Sequence, residues 1–223
     1  MPDNGSTQNN GLTQIGVLTP LRPATLQNLQ LNAGIFIRNL DMSGITNATD
    51  LRTLLTGIIN GTQTGKGSLF GATRGGGTFT VTRDMRTPDI DGMRYRFKKG
   101  QFVDSVDAYL STTLVELGTE QNIVDAMGGT LSTTSGGLQK ITMNTELPDS
   151  AYIDNVCWVG EISNGTMILI LLKNAVNIAD FSMTFADKNE GTLAVEFHAC
   201  QEAVNDYATA PFEVYKLAPG IGG

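Results

Sequence analysis

One histidine, two cysteines and one tryptophan are spread over 223 residues. That scarcity removes several chemistries at once. A structural zinc site needs four good ligands, and Cys157, Cys200 and the lone His198 cannot supply them. Both cysteines lie in apolar, strand-like segments, "NVCWVG" and "FHACQ". They are expected as reduced thiols rather than as a disulfide. Long hydrophobic runs are missing too. The longest, Met167 to Leu172, is strand-sized and far short of the ~18 apolar residues that a membrane helix needs, so no membrane segment is expected. The opening "MPDNGSTQNNGLTQ" has no basic stretch followed by an apolar one. No secretory leader is expected, and synthesis and residence in a cytoplasm follow.

Positive charge is scarce as well, with 15 Lys+Arg against 22 Asp+Glu, and it is unevenly placed. Residues 1–100 hold 11 Lys+Arg and 6 Asp+Glu, whereas residues 101–223 hold 4 and 16. Six of the cations fall in "TFTVTRDMRTPDIDGMRYRFKKG", Thr78 to Gly100: Arg83, Arg86, Arg94, Arg96, Lys98 and Lys99. The interleaving of basic and aromatic residues in "RYRFKK" is a feature of nucleic-acid grooves. Asp84, Asp89 and Asp91 in the same stretch, and the acidity of the whole chain, oppose that reading. A head-to-tail contact between copies, cationic stretch against acidic half, fits better, and such a contact closes into a ring when its rotation allows. Exposed ion pairs contribute only ~0–1 kcal/mol each. Their role is register, with apolar burial supplying affinity. The six cations are therefore candidate inter-subunit or inter-ring contacts. The alternative is pairing of the two halves within one fold.

Residues 1–30 are rich in Asn, Gln, Thr and Gly and are expected as an extended arm. Residues 31–217 are expected as one domain. "NAGIFIRNL" (32–40) reads as a strand. In "NATDLRTLLTGIING" (47–61), Leu51, Leu54, Leu55 and Ile58 fall at i, i+3, i+4, i+7, which predicts a helix near 47–60. Thr46 or Asn47 is its N-cap and Gly61 its stop. Gly-rich 61–77 reads as a loop, and the region 61–100 as a protruding one that carries a strand at 77–82. Alternation predicts a long strand over 105–117. A short helix is expected over 119–127 and a loop over 128–137. Further strands are expected at 140–147, 152–162, 166–173, 180–187 and 192–201, with an edge strand before the Gly-rich end at 218–223. Asn164-Gly165 and "DKNEG" mark hairpins. The fold class is all-β with a flanking α-helix, an antiparallel sandwich or barrel.

No catalytic constellation emerges. "GTQTGKGS" (61–68) misses the phosphate-loop spacing by one residue and has Gly67 where a Ser or Thr holds magnesium. His198 shares a strand face with Glu196 and Cys200, the commonest arrangement in any sheet. Asp104/Asp107 and Asp149/Asp154 lie near strand ends and turns, where solvated carboxylates are ordinary. No enzymatic activity and no cofactor are expected. A small all-β hydrolase using His198 is the rival from another class.

"LFGATRGGGTFTVTRDMRTPDIDGMRYRFKKGQFVDSVDAYLSTTLVEL" (69–117) resembles the major tail (tail tube) proteins of long-tailed bacteriophages. Those proteins carry a Gly-rich start, a strand, a Pro-x-Ile/Val-Asp-Gly turn and a long strand ending in an acidic residue. "FADKNEGTLAVEFHACQ" (185–201) resembles their late hairpin and final core strand, and the likeness covers roughly 31–201. Lys98-Lys99 departs from a simpler Lys-Gly. The resemblance implies a flattened β-barrel or sandwich of that type, with long loops. Six copies would form a ring, and rings would stack into a hollow virion tail tube. It implies a tape-measure protein and a tail terminator as partners. DNA would pass an acidic lumen without sequence-specific binding. The cationic turn would reach a neighbouring subunit or the adjacent ring. A ring protein of a type VI secretion or other contractile injection system is the nearest alternative.

Overall fold

The computed structural model describes residues 32–92, 94–134, 136–185, 187–202 and 209–218. The arm expected at 1–30, and the Gly-rich end past Ala218, lie outside the described residues. The elements in chain order are β1 (Ile35–Arg38), α1 (Ala48–Ile59), β2 (Ser68–Leu69), β3 (Thr73–Arg86) and β4 (Phe102–Leu114). They continue with α2 (Glu120–Met127), β5 (Gly129–Thr133), β6 (Gln139–Met143), β7 (Ile153–Glu161) and β8 (Met167–Asn177). The last are β9 (Met183–Thr184), β10 (Thr192–His198) and β11 (Phe212–Leu217). Every strand pair is antiparallel. The fold is mostly antiparallel β with flanking helices. No helix among the described residues is long and apolar enough to cross a membrane.

β8 organises the body. β7 lies along one of its edges. On the other edge it pairs first with β11, over Met167–Leu172, and then with β10, at Val176 and Asn177. The exchange happens at Lys173-Asn174. Lys173 N–H donates to Pro211 O at 2.8 Å, Cys200 N–H donates to Lys173 O at 3.1 Å, and Asn174 adopts a left-handed φ of 46°. One half of the sheet is thus β2-β1-β7-β8-β11, and the other is β3-β4-β10 joined to the end of β8.

The two halves pack face to face. Phe36, Val156 and Leu172 meet Leu110, Leu114, Val195 and Phe197 in one core. On the far face of the first half, Ile37, Cys157, Val159, Leu169, Leu171 and Leu217 receive Leu51, Leu54, Leu55 and Ile58 of α1. The inner strands β1, β7 and β8 of that half are therefore covered on both faces, which explains the unbroken apolar run Met167 to Leu172. Asn47, rather than Thr46, caps α1. Its Oδ1 accepts from the backbone N–H groups of Thr49 and Asp50, each at 2.9 Å.

α2 docks through charge. Arg38 on β1 is buried and pairs with Asp125 at 2.5 Å. It also bonds Asn122, and it lies 4.1 Å from the centroid of the Phe70 ring. Asn122 in turn donates to Phe70 O and Glu116 O. Burial pushes the Asp125 carboxyl up against the pull of Arg38 and Gln121.

Three expectations change. The strand expected at 180–187 shrinks to β9, Met183–Thr184. The 128–137 loop is largely strand β5, which pairs with β6 in a separate two-stranded sheet. The 61–100 region is not one loop. Its glycines 75–77 lie inside β3, and what projects is the outer end of the β3–β4 pair.

β11 is an edge strand held by a polar tether. Lys173 donates to Glu213 at 2.5 Å, and Tyr215 O–H bonds the other carboxylate oxygen. The Lys173 bond, then the Tyr215 bond, hold the Glu213 carboxyl below its ordinary range. A depressed carboxyl stabilises the fold above the unfolded group's range and loses that contribution as pH falls through the folded one. Amide protection of 212–217 is therefore expected to drop on acidification. Glu213→Gln is expected to show low protection at neutral pH and no acid step. Hydrogen exchange followed against pH checks both.

Both described ends leave from the same row of the sheet. Asn32 accepts from Glu161 N–H at 3.0 Å, Glu161 pairs with Met167, and Met167 pairs with Leu217.

Candidate assembly interface

β3 and β4 pair from Thr73–Leu114 out to Arg86–Phe102. The Gly run sits at the body end of this pair. A bulge falls between Arg74 and Gly77, where Gly75 and Gly76 both take positive φ and Thr112 Oγ1 donates to Gly76 O at 2.6 Å. A Cβ on Gly77 would lie 2.4 Å from the Phe36 ring. Here glycine is required by packing against the core.

At the other end the pair outruns the body. β10 stops at the His198–Tyr109 pair, and the last bond to β4 is Ala199 N–H to Ala108 O at 2.9 Å. Beyond it, 82–86 and 102–107 pair only with each other and are exposed on both faces. Leu110 and Ala108 are buried and point to the core. The register places Val106, Val103 and Met85 on the same face further out, after a bulge at Asp104, and all three are half-exposed. The core stripe thus continues past the core. Full burial of a side chain of this size is worth ~1.5–3 kcal/mol, and a bare two-stranded ribbon is marginal in water.

Residues 87–101 close the ribbon. Gly92 supplies the left-handed turn residue expected after Pro88 and Asp91, with φ 86°. Tyr95 and Phe97 are 84% and 64% exposed. All six candidate cations are exposed, with Arg83 and Arg86 on β3 and Arg94, Arg96, Lys98 and Lys99 in the loop. Arg86 bonds Asp104 at 3.2 Å within the ribbon and lies 5.6 Å from the centroid of the Phe102 ring. The other five make no ion pair among the described residues. Among the described residues, pairing between the two halves of the sequence accounts only for Arg38–Asp125, Arg74–Glu190 and Arg86–Asp104. It does not absorb the cluster.

His198 is 8% exposed, and both of its ring nitrogens face carboxylates, Nδ1 to Asp107 and Nε2 to Glu196, each at 2.8 Å. Tyr109 stacks on it with centroids 4.7 Å apart. The sulfur of Cys200 contacts the carbonyl of His198, not the ring, and burial pushes that thiol up. Cys157 is fully buried, and burial pushes its thiol up strongly. Both cysteines are free thiols. Lys66, in the loop that failed the phosphate-loop test, bonds Asp41 at 2.6 Å. Alternation in the sequence puts Val106 on the face of Ala108 and Leu110, but it does not reach Val103 and Met85, because the bulge at Asp104 shifts the period. No family model matches this chain, and none of the curated proteins matches it.

Proposed function

We propose that the chain is a structural subunit that polymerises into a hollow tube of stacked, six-membered rings, the role a tail tube protein plays in a phage virion. The β3–β4 ribbon carries this reading. It offers a neighbour an apolar stripe continuous with the core, two exposed aromatics and a cluster of five cations with no ion pair among the described residues. The rest of the chain is strongly acidic, so a second copy presents the complementary charge. A heterologous contact of that kind builds rings and stacks. In such a tube the tape-measure protein and DNA pass an acidic wall, and the cations are spent between subunits.

Negative-stain microscopy of the purified protein tests the class directly. Tubes or ring stacks support it, and a monodisperse monomer at every concentration and salt sinks it. Arg94→Glu with Lys98→Glu is expected to weaken polymerisation at least tenfold in critical concentration, since each misplaced charge costs on the order of 1 kcal/mol or more. The monomer's circular dichroism is expected to stay unchanged. Normal tubes from that variant would remove the electrostatic part of the proposal.

A further inference from the structure

We infer that His198 is a proton-operated strap on the root of the β3–β4 ribbon. Its consequence for assembly rests on the ribbon being the contact arm; the strap itself does not.

The geometry is local. β10 is the last strand to hold β4 before the ribbon leaves the body, and its final pair is His198 with Tyr109. Asp107 lies one step further out on the same face, past the last backbone bond to the body. His198 reaches outward to Asp107 through Nδ1 and back to Glu196 through Nε2. Tyr109 fixes the plane of the ring. One imidazole therefore bridges ribbon and body. An imidazolium donates from both nitrogens. A neutral ring carries one proton and turns a lone pair toward the second carboxylate, so the bridge is complete only when charged.

The groups facing the ring are few. β4 contributes Asp107 and Tyr109, and β10 contributes Glu196, with Cys200 following. Asp84 on β3 is the next carboxylate out on that face, past Thr82. β8 pairs Val176 with His198, and nearer the ring β3 places Thr80 and Thr82. None of those three titrates. Arg86, further out along the same face, is engaged by Asp104, and Lys173 is engaged by Glu213. Removing one proton from His198 leaves a single N–H between Asp107 and Glu196; with that proton on Nε2, facing Glu196, the bond to Asp107 is lost and the ribbon swings at its root. Adding the proton back fixes the ribbon's angle to the body. The arm is stiff when His198 is charged and loose when it is neutral.

His198 is the chain's one histidine, so a change of protection with pH is not confused by a second imidazole. Amide protection factors of Ser105–Ala108, corrected for the intrinsic rate, report the root in full chain kept dilute and unassembled. They are expected to fall at least about fivefold between about pH 5.5 and about pH 8.5, while Leu169–Leu172 stay constant. His198→Gln is expected to abolish the difference. Asp107→Asn, which leaves the histidine in place, is expected to do the same. Equal protection at both pH values in the wild type, or an undiminished fall in the variants, overturns the strap. Sedimentation of concentrated protein at the same two pH values separates the readings. A root that loosens with pH while pelleting is unaffected upholds the strap and counts against the ribbon as contact. A root that ignores pH in a protein that forms normal tubes does the reverse.

Discussion

Joining Thr82 to Asp107 through an Asn-Gly turn, with residues 83–106 removed, is expected to abolish tube formation and leave a folded monomer. Thr82 and Asp107 are opposite each other in the ladder, and Asn-Gly closes a two-residue hairpin with the right twist. No residue of either core lies in the deleted segment. The β4–β10 ladder from Leu114 to Tyr109 is untouched, and so is the His198–Asp107 contact. The unfolding midpoint should therefore move by no more than a few degrees, which is about 1 kcal/mol for a domain of this size. Polymerisation should be lost altogether, because the deletion removes the apolar stripe, the aromatics and all six cations together. Tubes from the shortened chain would show that the ribbon is not the contact. An unfolded product would show that the ribbon is part of the fold.

Arg38→Ala is the substitution expected to cost most stability. Its guanidinium is buried between Asp125, Asn122 and the face of Phe70. Removing it leaves a carboxylate and an amide oxygen buried with one partner fewer each. Breaking a buried pair in this way costs about 3–5 kcal/mol, or roughly 10 °C in midpoint. Arg38→Met combined with Asp125→Leu removes both charges together and is expected to recover most of the loss. Urea unfolding of the three proteins checks the pattern. A cost below about 1 kcal/mol for Arg38→Ala would mean that the pair is solvated in solution.

Much of the fold was legible in the sequence, and the exceptions have physical reasons. The helix over 47–60 announced itself by its leucine spacing and its cap, and the hairpin at Asn164-Gly165 by its turn chemistry. Gly75 to Gly77 read as a loop because three glycines usually mark one. Here they form a bulge and clear space for Phe36, a contact made from 41 residues away in sequence. β5 was missed because "GTLSTT" has no apolar face. Only Gly129 is buried and Leu131 half-buried, so burial barely patterned it. The cationic cluster was visible as composition. The projection that gives it meaning was not, since it depends on where β10 stops. Arg38–Asp125 and His198–Asp107 were out of reach for the same reason: each joins residues about ninety apart on elements whose pairing the local sequence does not encode.

The row that gathers both described ends, Glu161, Met167 and Leu217, has a counterpart at the other end of β8. The ribbon root lies beside Val176, about 30 Å away at the rise of an extended strand. The subunit thus has a head and a tail. A polymer grown by seating one on the next has distinguishable ends, so growth at one need not match growth at the other. A fluorophore or fused domain placed after Ala218 would ride on the end away from the ribbon, and would label the direction of the proposed tube without covering the ribbon.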